Sequence, residues 1–110
     1  MGKGKPDLLH GTLDLLILRS LSQNAMHGWA ISKYIQHISE AVLEVNQGSL
    51  SPALYRLEDR GWITAEWGTS ENNRRAKFYS LSKRGRAQLQ AEEAQWRKFS
   101  EAVEWILETG

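Results

Sequence analysis

The apolar residues of this chain change their spacing along its length, and each change marks an element. Between Leu8 and Leu21, the residues Leu9, Leu13, Leu16, Ile17 and Leu21 recur at three- and four-residue intervals, which predicts a helix with one buried face. Leu8, Leu15 and Leu18 fall on another side of that helix. Two apolar sides need two coverings, the domain's own core and a second layer. Ser22–Met26 breaks the pattern and reads as a turn. Ile31, Ile35 and Ile38 then stripe a second helix over about His27–Ser39. Val42–Asn46 alternates, which predicts a short strand that Gln47-Gly48-Ser49 ends.

A third helix is expected from Ser49 or Ser51 to Arg60, with Leu50, Ala53, Leu54 and Leu57 inward. Either serine can cap it, Pro52 suits a first turn, and Gly61 suits a stop. From Trp62 to Trp67 the period falls to two, with Ile63, Ala65 and Trp67 on one face. A polar cluster follows at 68–73, and Arg74–Leu81 returns as a second strand, so the region predicts a β-hairpin. Ser82 caps a final helix from Lys83 to about Glu108. Leu89, Trp96, Phe99, Val103 and Ile106 form a seam along it at spacings of seven, three, four and three.

The expected order is helix, helix, short strand, helix, hairpin, long helix. That is a mainly α fold with a small β-hairpin wing: a winged helix-turn-helix over residues 1–81, followed by a C-terminal dimerisation helix over 82–110 that packs with 8–21 of the first helix. The strand at Leu43–Asn46 would add a third strand to the hairpin. Burying Trp96, Phe99, Val103 and Ile106 against a second copy is worth on the order of 6–10 kcal/mol before the cost of association. The expected dimer interface is therefore Leu8, Leu15, Leu18, Leu89, Trp96, Phe99, Val103 and Ile106.

Composition narrows the function more by exclusion than by assertion. A chain of 110 residues is one domain, and the absence of cysteine removes disulfide and thiolate chemistry. No secretory signal or membrane-length apolar run is visible, so a cytoplasmic protein is expected. His10, His27 and His37 lack metal-ligand spacing, and no nucleophile motif, phosphate loop or paired carboxylate stands out. No enzyme and no cofactor is expected. The net charge of +1 hides a segregation. Arg74, Arg75, Lys77, Lys83, Arg84 and Arg86 crowd one stretch without an acid, whereas five glutamates follow Ala91. A local basic edge on a nearly neutral protein points to a local polyanion contact.

That polyanion is expected to be double-stranded DNA. Ser49, Ser51, Tyr55 and Arg56 should project outward from the third helix, beside Pro52, toward phosphates or base edges. Asn72, Asn73, Arg74, Arg75 and Lys77 should form a wing on the backbone or in a minor groove. A winged-helix protein-interaction module that has lost DNA binding is the alternative reading. Trp96 with Phe99 could hold a flat ligand, or serve only as interface packing.

Four segments together resemble the PadR family of bacterial transcriptional regulators in its short form: LLHGTLDLLIL, MHGWAI at Met26–Ile31, GSLSPALYRLEDRGWI at Gly48–Ile63, and NNRRAKFYSLSKRGRAQL at Asn72–Leu89. The likeness runs from Leu8 to Leu107. It implies a winged-helix homodimer, joined through its first and last helices, that represses by binding a palindromic operator. In some members a small aromatic or hydrophobic effector relieves repression. The family's recognition helix usually reads LYPAL, with a tyrosine on the DNA backbone. Here Ser51 stands in the tyrosine's place, and a serine makes a shorter contact.

Overall fold

The structure, a computed structural model, describes residues 11–109; Leu8, with the start of the first predicted helix, lies outside them. Four helices and three short strands follow in the order α1 (Thr12–Ser20), β1 (Met26–His27), α2 (Gly28–Ile38), α3 (Gln47–Asp59), β2 (Ile63–Thr69), β3 (Arg75–Leu81) and α4 (Lys83–Thr109). The strands form one antiparallel sheet in the order β1-β3-β2. Helix α1 packs against α2, α3 and α4, and α3 packs against β2.

The core follows the apolar stripes. Ile17, Leu18 and Leu21 of the first helical region meet Ile31 and Ile35 of α2, and Leu50, Ala53, Leu54 and Leu57 of α3. Ile63 and Leu89 close it from the hairpin and from α4. The placement of Leu18 and Leu89 corrects the expected interface. Leu18 has no exposed surface and Leu89 is buried within the same chain, so neither is free for a partner. The reason is that α1 packs against α2, α3 and α4 of the same chain, which buries Leu18 and half-buries Leu15.

The expected strand at Val42–Asn46 is absent, and β1 supplies the third strand instead. Helix α2 ends by bonding the Ala41 amide to the Gln36 carbonyl at 2.8 Å and the Glu40 amide to His37 at 3.1 Å. Glu40 and Ala41 then take the left-handed conformation, with φ of 53° and 67°. Two such residues in a row redirect the chain before a strand can begin. Val42 is left exposed, whereas Val45 drops into the core. Met26 and His27, which extend from the preceding turn, pair with Tyr79 and Phe78.

Helix α3 starts earlier than expected. Asn46, not a serine, caps it: its side chain accepts from the Ser49 amide at 2.8 Å. Pro52 accordingly sits in the second turn rather than the first. There its missing N–H leaves the Gly48 carbonyl without a helical donor. Gly61 ends α3 as expected, at φ 78°, with the Trp62 amide bonded back to Leu57 at 3.1 Å.

Helix α4 is anchored most firmly at its beginning. Ser82 accepts from the Gly85 amide at 2.9 Å and donates to the Gly61 carbonyl at 2.7 Å. Gly85 lets the helix lie on the start of β2: a Cβ there would stand 1.9 Å from the Trp62 carbonyl oxygen. Of the 27 residues of α4, only Gly85 and Leu89 are buried. Among the described residues no helix is long and apolar enough to cross a membrane.

Candidate nucleic-acid interface

Helix α3 turns its leucine stripe inward, so the helical repeat places Gly48, Ser51, Pro52 and Tyr55 on the opposite face. All four are exposed, Tyr55 by 74%. Ser49 is exposed as well, at the first turn. Arg56 departs from the expectation. It lies toward the α1 flank, where its Nη2 donates to Oδ1 of Asp14. Asp14 is nearly buried, and an enclosed carboxylate needs a cation beside it. The guanidinium that sequence reasoning assigned to phosphates or bases is therefore occupied in holding α3 to α1.

The hairpin is built for a tight turn at its tip. Thr69 pairs with Arg75, and the Ser70 amide bonds the Arg74 carbonyl at 2.8 Å. Glu71, Asn72 and Asn73 make the loop between them, closed by the Asn73 amide on the Ser70 carbonyl at 2.9 Å. Asn73 takes φ of 61°, the left-handed position that such a three-residue loop requires and that asparagine tolerates. Asn72, Asn73, Arg74 and Arg75 are all exposed.

Pairing puts Ile63, Ala65 and Trp67 on one face of the hairpin with Leu81, Tyr79, Lys77 and Arg75. That face looks toward α3, because Ile63 is buried in the core and Lys77 Nζ lies 3.3 Å from Oε1 of Glu58. Lys77 is thus a link between wing and helix as well as a surface cation. Arg75 stands over Trp67, its guanidinium carbon 4.6 Å from the ring centroid. This explains an exposed tryptophan on a short strand: it is the platform on which Arg75 rests. Arg74 has no charged partner among the described residues and extends from the tip.

Between them, α1 and α4 form an open pocket of about 340 Å³ lined by Gly11, Thr12, Leu15, Gln88, Glu92, Gln95, Trp96 and Phe99. The Trp96 and Phe99 rings lie 5.9 Å apart and are tilted by 40°. Glu92 Oε2 accepts from Gln88 at 2.8 Å, while Oε1 is enclosed without a partner. Trp96 and Phe99 at the pocket, and Val103 and Ile106 beyond it, remain exposed, joined by Leu107 on the same side of the helix. Among the described residues no cluster of His, Cys, Asp or Glu could hold a metal ion.

Sequence reasoning missed Gln47, which the true helix start brings to the surface and which donates to Ser32 of α2 at 2.9 Å. The signal was Asn46, a strong cap residue, read instead as the end of a strand. It also missed Leu107, one position beyond Ile106 on the seam.

Comparison with known proteins places this architecture. The chain resembles an uncharacterised protein of Lysinibacillus sphaericus, 25% identical over 94% of this chain and 95% of that one. A PadR-like transcription factor from Bacteroides fragilis is 31% identical, covers 87% of this chain and 90% of its own, and superposes with a TM-score of 0.69. A PadR family transcriptional regulator from Eggerthella lenta is 29% identical, with a TM-score of 0.77 over 92% of this chain and 86% of that one. The model of the transcriptional regulator PadR-like family matches residues 17–91, which contain the core, α3 and the whole hairpin. On that match the chain belongs to the PadR-like family, and it is a winged-helix, DNA-binding transcriptional regulator rather than an enzyme.

Proposed function

We propose that the protein is a repressor that binds a palindromic operator as a homodimer. Gly48, Ser49, Ser51, Pro52 and Tyr55 would present α3 to the major groove, while Asn72, Asn73, Arg74 and Arg75 set the wing on the adjacent backbone. The observation that supports this reading is the Lys77–Glu58 contact, which ties the basic hairpin to the end of α3. In this reading Arg56 and Lys77 hold the surface in shape, and direct contacts fall to their neighbours. Ser51 supplies a short phosphate contact beside the exposed Tyr55.

Residues 82–110 would act as the dimerisation element. The exposed Trp96, Phe99, Val103 and Ile106 support this, because an apolar seam of that size in water favours association. Leu15, half-buried beside the cavity, joins that layer. The cavity supports an effector that derepresses. Its aromatic side suits a flat apolar molecule, and the enclosed Glu92 Oε1 favours one that also carries an N–H or O–H donor.

Selection of bound fragments from random DNA at stated salt tests the proposal. The expected result is a two-fold symmetric site with half-sites about one helical turn apart, roughly 10 base pairs. Recovery of no preferred sequence, with binding no tighter than to bulk DNA, would overturn it in favour of a protein-interaction module.

A further inference from the structure

Sequence periodicity leaves one pair of residues on α2 unexplained. Trp29 is 62% exposed at the start of a helix whose core stripe is Ile31 and Ile35. Lys33, one turn later, stands over its indole with Nζ 5.3 Å from the ring centroid. Lys33 has no acidic partner among the described residues. A lone exposed tryptophan is ordinary, but one with an unpaired ammonium over its ring makes a cationic surface with an apolar flank.

The position of the pair relative to α3 places that surface. Gly28 is the point of close approach between the helices: a Cβ there would lie 3.3 Å from Gln47 Oε1 and 3.7 Å from a Leu50 methyl. One turn on, Ser32 accepts from Gln47 at 2.9 Å. Gly28 and Ser32 therefore mark the side of α2 that borders the start of α3. The helical repeat places Trp29 and Lys33 next around the helix from that side, facing out, while Tyr34 and Ile38 lie on the far flank. Trp29 and Lys33 thus lie just beyond Gly28 and Ser32 from the exposed Gln47, Gly48 and Ser51.

We infer that Trp29 and Lys33 form a second contact surface for the DNA sugar–phosphate backbone, on the strand bordering the groove that α3 enters. In a helix-turn-helix, a second helix placed in the groove brings the first helix across the backbone. An ammonium held over an indole suits that position. The ring keeps the lysine extended and presents an apolar flank to the sugar, and the charge meets the phosphate. This surface carries no sequence information, so it acts on every duplex alike. The inference rests on α3 being the groove-reading helix.

The test is fluorescence anisotropy with two labelled duplexes, one recovered by selection and one scrambled, from 50 to 200 mM salt. Lys33→Gln should weaken binding to both by the same factor, about fivefold at low salt, and make the log K against log salt slope shallower by about 0.9. Trp29→Ala should weaken both less, and the double variant should bind worse than Lys33→Gln alone, since ring and charge each make a contact. Circular dichroism should be unchanged, since both side chains are exposed. If Lys33→Gln keeps wild-type affinity and slope while an Arg74→Ala/Arg75→Ala variant loses both, the α2 contact is refuted and the wing stands. If neither variant changes binding, the assignment of the whole DNA surface fails.

Discussion

At the residue scale, two positions are held by contacts that no local pattern announces. Gly85 is one. Its missing side chain leaves room for the Trp62 carbonyl, and the nearest obstacle to a Cβ is backbone, which cannot swing aside. Gly85→Ala should cost about 3 kcal/mol, read as a lower urea midpoint with an unchanged slope. Asp14 and Arg56 are the other. Arg56 keeps 44% of its side chain exposed, so the pair is partly screened, but Asp14 is nearly buried. Arg56→Ala strands that carboxylate and should destabilise the fold by about 1–2 kcal/mol in the same assay. Its effect on DNA affinity should be smaller than that of removing Arg74 and Arg75, because the guanidinium is already engaged.

At the scale of elements, the wing makes the sharpest prediction. Replacing Arg74 and Arg75 together by alanine should weaken binding to every duplex and lower the salt slope by about 0.9 for each phosphate that is no longer neutralised. Asn73→Val should cost about 1 kcal/mol in the urea assay, because a β-branched residue is poorly accommodated at φ of 61°. All four helices and both hairpin strands were legible in the sequence, since each carries its own period or cap. Helix α3 with its leucine stripe and the hairpin with its alternation are clear cases. What could not be read had long-range or unsignalled causes. The end of α2 uses Glu40 and Ala41 in a conformation usually given to glycine, so Val42–Asn46 kept the look of a strand. Strand β1 is two residues long and exists only because β3 lies beside it. Within the candidate site, the exposed serines, Tyr55 and the wing tip follow from local pattern. The diversion of Arg56 to a residue 42 positions away does not.

At the scale of the whole molecule, α4 dominates. A helix of 27 residues is about 40 Å long, and most of it projects beyond the core. Trp96→Glu or Val103→Glu should give a monomer by sizing with light scattering, and the wild-type melting temperature should rise with protein concentration. An unchanged soluble dimer would remove α4 from the interface. A different consequence follows from α1, which has Asp14 gripping α3 and, at the very next residue, Leu15 lining the cavity beside Trp96. Two neighbours on one rigid rod cannot move independently. Under the proposed effector reading, a guest that shifts α1 as it enters the pocket would also shift the Arg56 guanidinium bonded to Asp14, so one rod would carry the signal toward α3.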